Sequence, residues 1–307
     1  MRKILLLIMA IFLFAITPHK ISYDYYISKI AFNNNYLIAG LENGDIVIKD
    51  FNSLKNIYTI TLPKIEDFMG DKMAMPIYSL DIKNDKLLIL SGGEDNSRKI
   101  FIFDIKNKKL NKILDIDEEI MKAKFYKDKI LFAYLSDEIS LYDLKTKKYL
   151  YRTQLGEYVF STLAMYNSKV VIGDESGDIE IADINTGKKL KTINGYNKDQ
   201  TLSLDIYKNL VINGSSDKRV GIYNIDTKKA IITLDSHFLP YGATITENKF
   251  AFQYDEKNDI ALYNFNKDIK LLKGHTMPLN GMKFKDKNTL ISYSSAEILI
   301  WRLNGKN

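Results

Sequence analysis

His19, His237 and His275 are the only 3 histidines in a chain of 307 residues that contains no cysteine. The missing thiols exclude disulfides, iron–sulfur clusters, Cys-ligated zinc, thiol catalysis and a lipidated N-terminal cysteine. Serine and aspartate are plentiful, but no Gly-x-Ser-x-Gly frames a nucleophile. Gly92-Gly93 and Gly173–Gly177 join apolar runs that read as strands, so no helix N-terminus is offered to a phosphate. The acidic turn Asp255–Asp259 lacks the spacing and glycine of a calcium loop. The set that could do chemistry is Met69, Met73 and Met75, within Pro63–Pro76. Their thioethers have the softness and spacing of a Cu(I) site. Methionine is also the adaptable residue of promiscuous docking surfaces, and with Phe68 these side chains make an apolar loop. The expectation is no catalytic residue, no resident metal and no cofactor.

The elements that position these residues follow from a repeat. Gly214–Asn224 reads as a strand end, a polar turn and a second strand. Aligned on that second strand, seven copies end at Asp50, Asp104, Asp143, Asp183, Asn224, Asn264 and Arg302, spaced 54, 39, 40, 41, 40 and 38 residues apart. A period near 40 is that of a four-stranded propeller blade. Blade four reads as Val159–Tyr166, Lys169–Gly173, Asp178–Asp183 and Lys189–Ile193. Blade five reads as Leu202–Tyr207, Leu210–Gly214, Arg219–Asn224 and Ala230–Leu234. The separators carry Asn and Gly, which accept positive φ cheaply. The last copy has only three strands, and Ile21–Ser28 is a spare strand-like run before the first. The chain is therefore expected to be all-β, a seven-bladed propeller over residues 21–305 whose N-terminal strand completes the last blade.

Arg2-Lys3 followed by the apolar run Ile4–Ile16 matches an export signal. The run is short for a membrane span, and no Ala-x-Ala precedes Pro18, so residues 1–20 read as a cleaved signal or an N-terminal anchor. A periplasmic location follows. The 44 basic and 38 acidic residues are interspersed, and their excess of +6 makes no stripe for nucleic acid.

The hairpin Gly214-Ser215-Ser216-Asp217 with Val220–Asn224 resembles WD40-repeat propellers, with Tyr-Asn in place of Trp-Asp. Phe103-Asp104, Tyr142-Asp143, Gly274-His275 and Trp301 fit the same pattern. The resemblance implies structural roles for Asp217, His275 and Trp301. It also departs: the last turn, Ser294–Glu297, has no Asp, which implies an incomplete His–Asp–Ser–Trp network. Ala182–Leu190 resembles the TGK-type quinoprotein repeat without its tryptophan, which implies as an alternative a propeller binding a small molecule or cofactor, or an outer-membrane assembly scaffold. In size, export signal and repeat type the chain is similar to the periplasmic propellers that accompany nitrate reductases. That likeness implies a non-enzymatic accessory factor whose partner is a periplasmic redox enzyme or its assembly factors.

The surplus of the first interval falls in Pro63–Pro76, between blades one and two. In propellers such connections share a face with the Gly-His loops, so Phe68, Met69, Met73 and Met75 are expected beside Tyr196, His237, Phe238, Tyr241 and Met277. This is the expected protein-binding surface, with a loop folded back on its own blade as the alternative for Pro63–Pro76; the membrane is reached only through the N-terminal segment.

Overall fold

The computed structural model of the chain describes residues 16–67, 69–94, 97–266 and 268–304. Among these, seven four-stranded antiparallel sheets are arranged as a ring of blades. Blade one runs Ile27–Phe32, Tyr36–Leu41, Asp45–Asp50 and Asn56–Thr61, from the innermost strand to the outermost. Blades two to six repeat that order without a crossover. In blade seven His19–Ser22 is the outermost strand, pairing with Glu297–Arg302 in the register His19↔Ile300 and Ser22↔Glu297. The closing strand thus starts ahead of the expected domain start at residue 21. The expected spare run Ile21–Ser28 divides: its beginning closes blade seven, and Ile27 already opens blade one. Most of the apolar run Ile4–Ile16 lies outside the described residues.

Each third strand ends where the repeat ends, and side-chain chemistry explains why. Asp50 Oδ1 accepts the Ser53 N–H at 2.7 Å, Asp143 Oδ1 that of Thr146 at 2.8 Å, and Asn224 Oδ1 that of Thr227 at 3.1 Å. A short carboxylate or amide at this place caps the turn into the outermost strand. That turn is then completed by left-handed residues such as Lys147 (φ 56°), Gly187 (φ 70°) and Lys228 (φ 59°).

Period-2 alternation sends successive side chains to opposite faces of a blade. Ile46 and Ile48 pack toward blade two, while Val47 packs toward blade seven. The result is one apolar cluster between each neighbouring pair of blades, including the pair formed by blades seven and one. Since neither face of a lone blade is satisfied, each stabilises the next.

The ring separates two faces. Innermost-to-second and third-to-outermost turns lie together, shown by Phe51 N–H donating to Asn35 O and Ile225 N–H to Asn209 O. Second-to-third turns share the other face with the connections between blades, shown by Glu42 N–H donating to Tyr26 O and His237 N–H to Tyr254 O.

Candidate functional site

The insertion is partly core and partly surface. Ile65–Glu66 pairs with Lys72–Met73 as a small hairpin. Asp67 Oδ1 receives the Met69 and Asp71 N–H groups, both at 2.9 Å, and Gly70 turns the tip at φ 85°. Ile65 and Met75 are buried in the cluster between blades one and two. Met75 is therefore not a surface residue; its sulfur accepts from Ser91 Oγ at 3.7 Å. The expectation for Met75 is corrected, because alternation places it one residue before Pro76 and facing the blade. Met69 and Met73 remain exposed, at 74% and 44%. With one thioether buried in the blade interface, the three sulfurs do not share the exposed loop as a Cu(I) site would require. Phe68 lies outside the described residues.

The remaining expected residues share the loop face but not one cluster. Tyr196 hydrogen-bonds Asp235 at 2.8 Å and stacks under Arg219. His237 is exposed, edge-on to Tyr254 at 4.7 Å. Phe238 meets Tyr241 at 6.3 Å, and Tyr241 also lines the channel mouth. Met277 is exposed beside Ser295. Sequence reasoning missed Tyr25, Tyr26, Tyr158 and Val159, all exposed on connections of this same face. Their signal was position: they lie between an outermost strand and the next innermost one.

The distribution of exposed large apolar side chains is uneven. Among the described residues they occur on this face or on outermost strands such as Lys148–Gln154, which exposes Tyr149 and Leu150. The opposite face carries none of them. Its turns are built from Asn, Lys and Asp, as in Asn33–Asn35 and Asp226–Lys228.

His275, Trp301 and Asp217 hold structural positions. Trp301 Nε1–H donates to Ser292 Oγ at 2.8 Å, and Ser292 Oγ lies 2.6 Å from His275 Nε2. His275 Nδ1 lies 3.1 Å from Glu297 Oε1. One direction of donation satisfies every atom: indole to hydroxyl, hydroxyl to imidazole, imidazole to carboxylate. The network implied to be incomplete is therefore closed, because Glu297 supplies the carboxylate from the first residue of the third strand. Burial drives the His275 pKa down to about 4 against the pull of Glu297, so the ring is neutral at pH 7. Burial alone would raise Glu297. The N–H and hydroxyl of Thr276, at 2.8 and 2.7 Å, with Lys20 and His275, outweigh it and hold the carboxyl at about 2. Asp217 caps its own turn by accepting from the Arg219 N–H and ties that turn to the preceding connection by accepting from the Lys198 N–H.

A second buried carboxylate is less well served. Asp137 is fully buried, and neither of its oxygens has a hydrogen-bond partner among the described residues. Asp174 Oδ2 nearby is also unpartnered, and the backbone of Gly156 lies between the two carboxyls. Burial, then repulsion from Asp174 and Glu180, pushes the Asp137 pKa up to about 7. A raised carboxyl favours folding at low pH and loses that advantage as pH rises from 3.8 to about 7. Asp137→Asn is expected to stabilise the protein by ~2–4 kcal/mol above pH 7. Asn tolerates the left-handed backbone at φ 61° and its NH2 can donate to Asp174. Urea midpoints of both chains at pH 5 and pH 8 check this: the gap must widen at pH 8.

The channel along the ring axis is a cavity of about 420 Å³, and all seven innermost strands line it. Six of these strands bulge just before a residue of its upper tier, as at Ile27/Lys29, Ile120/Lys122 and Phe160/Thr162. A bulge at this place re-aims the side chain. Two residues further along is a lower tier with two ion pairs, Lys124–Asp81 at 3.1 Å and Lys283–Asp205 at 2.9 Å. Asp205 also accepts from Thr244 Oγ1 at 2.6 Å and from the Ile206 N–H at 2.9 Å. The upper tier holds Lys29 and Lys122 with no carboxylate. Lys122 Nζ donates to Thr162 Oγ1 at 2.7 Å. Burial, then repulsion from Lys124, Lys29 and Lys283, lowers its pKa to about 7.

No family model matches the chain, and no curated protein does. The crystal structure of the computationally designed Ika8 protein is similar at TM-score 0.66 and 18% identity, over 92% of this chain and 97% of that one. At that identity the likeness shows the fold alone.

Proposed function

We propose that this propeller is a non-enzymatic, exported scaffold that docks a protein partner through its loop face. The single observation that carries the reading is the placement of exposed apolar side chains: Tyr25, Tyr26, Met69, Met73, Tyr158, Val159 and Met277 are on this face, and none is on the polar one. Large exposed apolar side chains gathered on one face mark an interaction surface. Aromatic residues and Met are the types enriched in interface cores. The export-type N-terminus and the likeness to nitrate-reductase accessory propellers support a periplasmic redox enzyme as the partner.

The test uses the purified catalytic subunit of a periplasmic nitrate reductase and the full mature propeller. Met69→Ser/Met73→Ser and Tyr25→Ser/Tyr26→Ser pairs are expected to weaken binding at least about tenfold, equivalent to ~1.4 kcal/mol or more. Lys127→Glu/Lys208→Glu on the polar face is expected to leave it unchanged. Unaltered affinity in the loop variants would remove the docking face, and absence of binding by the parent chain would remove this partner.

A further inference from the structure

We propose that the upper tier of the channel, at Lys29 and Lys122, is a binding site for a small multivalent oxyanion. The first ground is charge. Lys122, Lys124 and Lys283 line the channel with Asp81 and Asp205, and Lys29 is near enough to repel Lys122; both aspartates are already taken by Lys124 and Lys283. The positive excess therefore resides on Lys29 and Lys122, whose carboxylate-free tier must be balanced from outside the fold or by loss of a proton.

The second ground is unused donors. Lys122 spends one of its three N–H groups on Thr162, and Lys29 makes no hydrogen bond or ion pair with the described residues. The third is placement. Lys29 pairs opposite Gly40 in blade one and Lys122 opposite Ala133 in blade three, both directly after a bulge. Ser79 stands at the same tier of the blade between them, but its hydroxyl is committed to Ala123 O at 3.2 Å. Nothing on that wall competes for the two ammonium groups. Repulsion among the lysines already weakens the charged form of Lys122, and an anion between them removes it. A divalent anion answers two ammonium groups where chloride answers one, and a cavity of about 420 Å³ walled by all seven blades admits a small ion with its remaining hydration.

The experiment is limited acetylation of the full mature chain with acetic anhydride, quantified lysine by lysine by mass spectrometry. Sulfate is compared with chloride at equal ionic strength, and succinate forms a parallel arm. At ten times its Kd, sulfate is expected to slow modification of Lys29 and Lys122 about tenfold, leaving exposed Lys109 and Lys148 unchanged. Lys29→Gln is expected to abolish protection of Lys122. Should that variant fold poorly, a sulfate-induced rise in melting midpoint that saturates at low millimolar concentration in the parent chain and is reduced in Lys122→Gln supports the site independently; a rise that is equal in both, or that grows without saturating, is the general stabilisation by sulfate and overturns it. Protection by either oxyanion supports the proposal and reports the preferred shape. Equal slowing by chloride, equal slowing of Lys109 and Lys148, or no slowing by either oxyanion overturns it.

Discussion

Glu297→Ala is expected to lower stability by about 3–5 kcal/mol, because it removes the only carboxylate from a buried hydrogen-bonded network. Glu297 is 1% exposed and receives hydrogen bonds from Thr276, His275, Lys20 and Ser294. Its loss leaves the buried His275 Nδ1–H without an acceptor, at a desolvation cost of about 1–3 kcal/mol, and removes the acceptor of the more exposed Thr276 N–H and hydroxyl. Glu297→Gln keeps the shape and accepts through its carbonyl, so a smaller loss is expected. The two variants also differ from the parent in pH dependence. Glu297 titrates near 4.5 unfolded and near 2 folded, so the stability it gives is full above 4.5 and is lost as pH falls toward 2. His275 takes a proton near 6.5 unfolded and near 4 folded, so its burial costs stability progressively as pH falls from 6.5 to 4. Both act in one direction, and the parent is expected to be acid-labile below about pH 6. Urea titrations followed by the fluorescence of Trp301, the only tryptophan, report on the network itself. A Glu297→Ala chain that matches the parent in midpoint, or retains its slope below pH 4.5, would contradict the assignment.

The comparison of Glu297 with Asp217 explains how far the sequence could be read. The repeat was legible because most blades use the same turn chemistry: in six of the seven an Asp or Asn ends the third strand, and Gly, Asn or Lys usually takes the left-handed position. Those are local effects of a few residues, and they recur at fixed spacing. Strand bounds in blades four and five accordingly fall within a residue or so of those read from pattern. Glu297 was not legible, since it stands outside the usual turn position and only the fold brings it to His275. Met75 failed for a related reason: composition marked the whole loop as surface, whereas alternation from Ile65 and Ile77 turns that one side chain into the core. The channel lysines were invisible for another reason again. Lys29 and Lys122 look like ordinary polar positions of half-buried strands, and what makes them unusual is that the ring brings them together without a carboxylate. The loop-face tyrosines could have been found by asking which connections share an edge with Pro63–Pro76.

A chain that begins at Tyr23 is expected to lose roughly 2–4 kcal/mol and to associate with itself. The closing strand His19–Ser22 contributes two separable terms. Ile21 is buried against Ile298, Ile300 and Phe51, a burial worth ~1.5–3 kcal/mol. Lys20 donates to Glu297 at 3.1 Å, but its side chain is half exposed, so solvent screening limits this term to about 0.5–1 kcal/mol. Removing both also strips a carboxylate of one of its donors, which couples this prediction to the network above. The backbone term acts differently. Without His19–Ser22, the third strand Glu297–Arg302 becomes an edge with unpaired N–H and C=O groups flanked by Ile298 and Ile300, a template for another chain. Self-association should therefore accompany the loss of stability and not merely follow from unfolding. A synthetic peptide spanning residues 16–22 offers the decisive arm. Added in trans it should restore the melting midpoint and return the protein to the elution position of the full chain on size exclusion, while the same peptide with Ile21→Asp and Lys20→Glu should do neither. If the truncated chain elutes with the full chain and has an unchanged midpoint, the strand does not close the ring. If both peptides rescue equally, pairing occurs without the side chains of Lys20 and Ile21 contributing as argued.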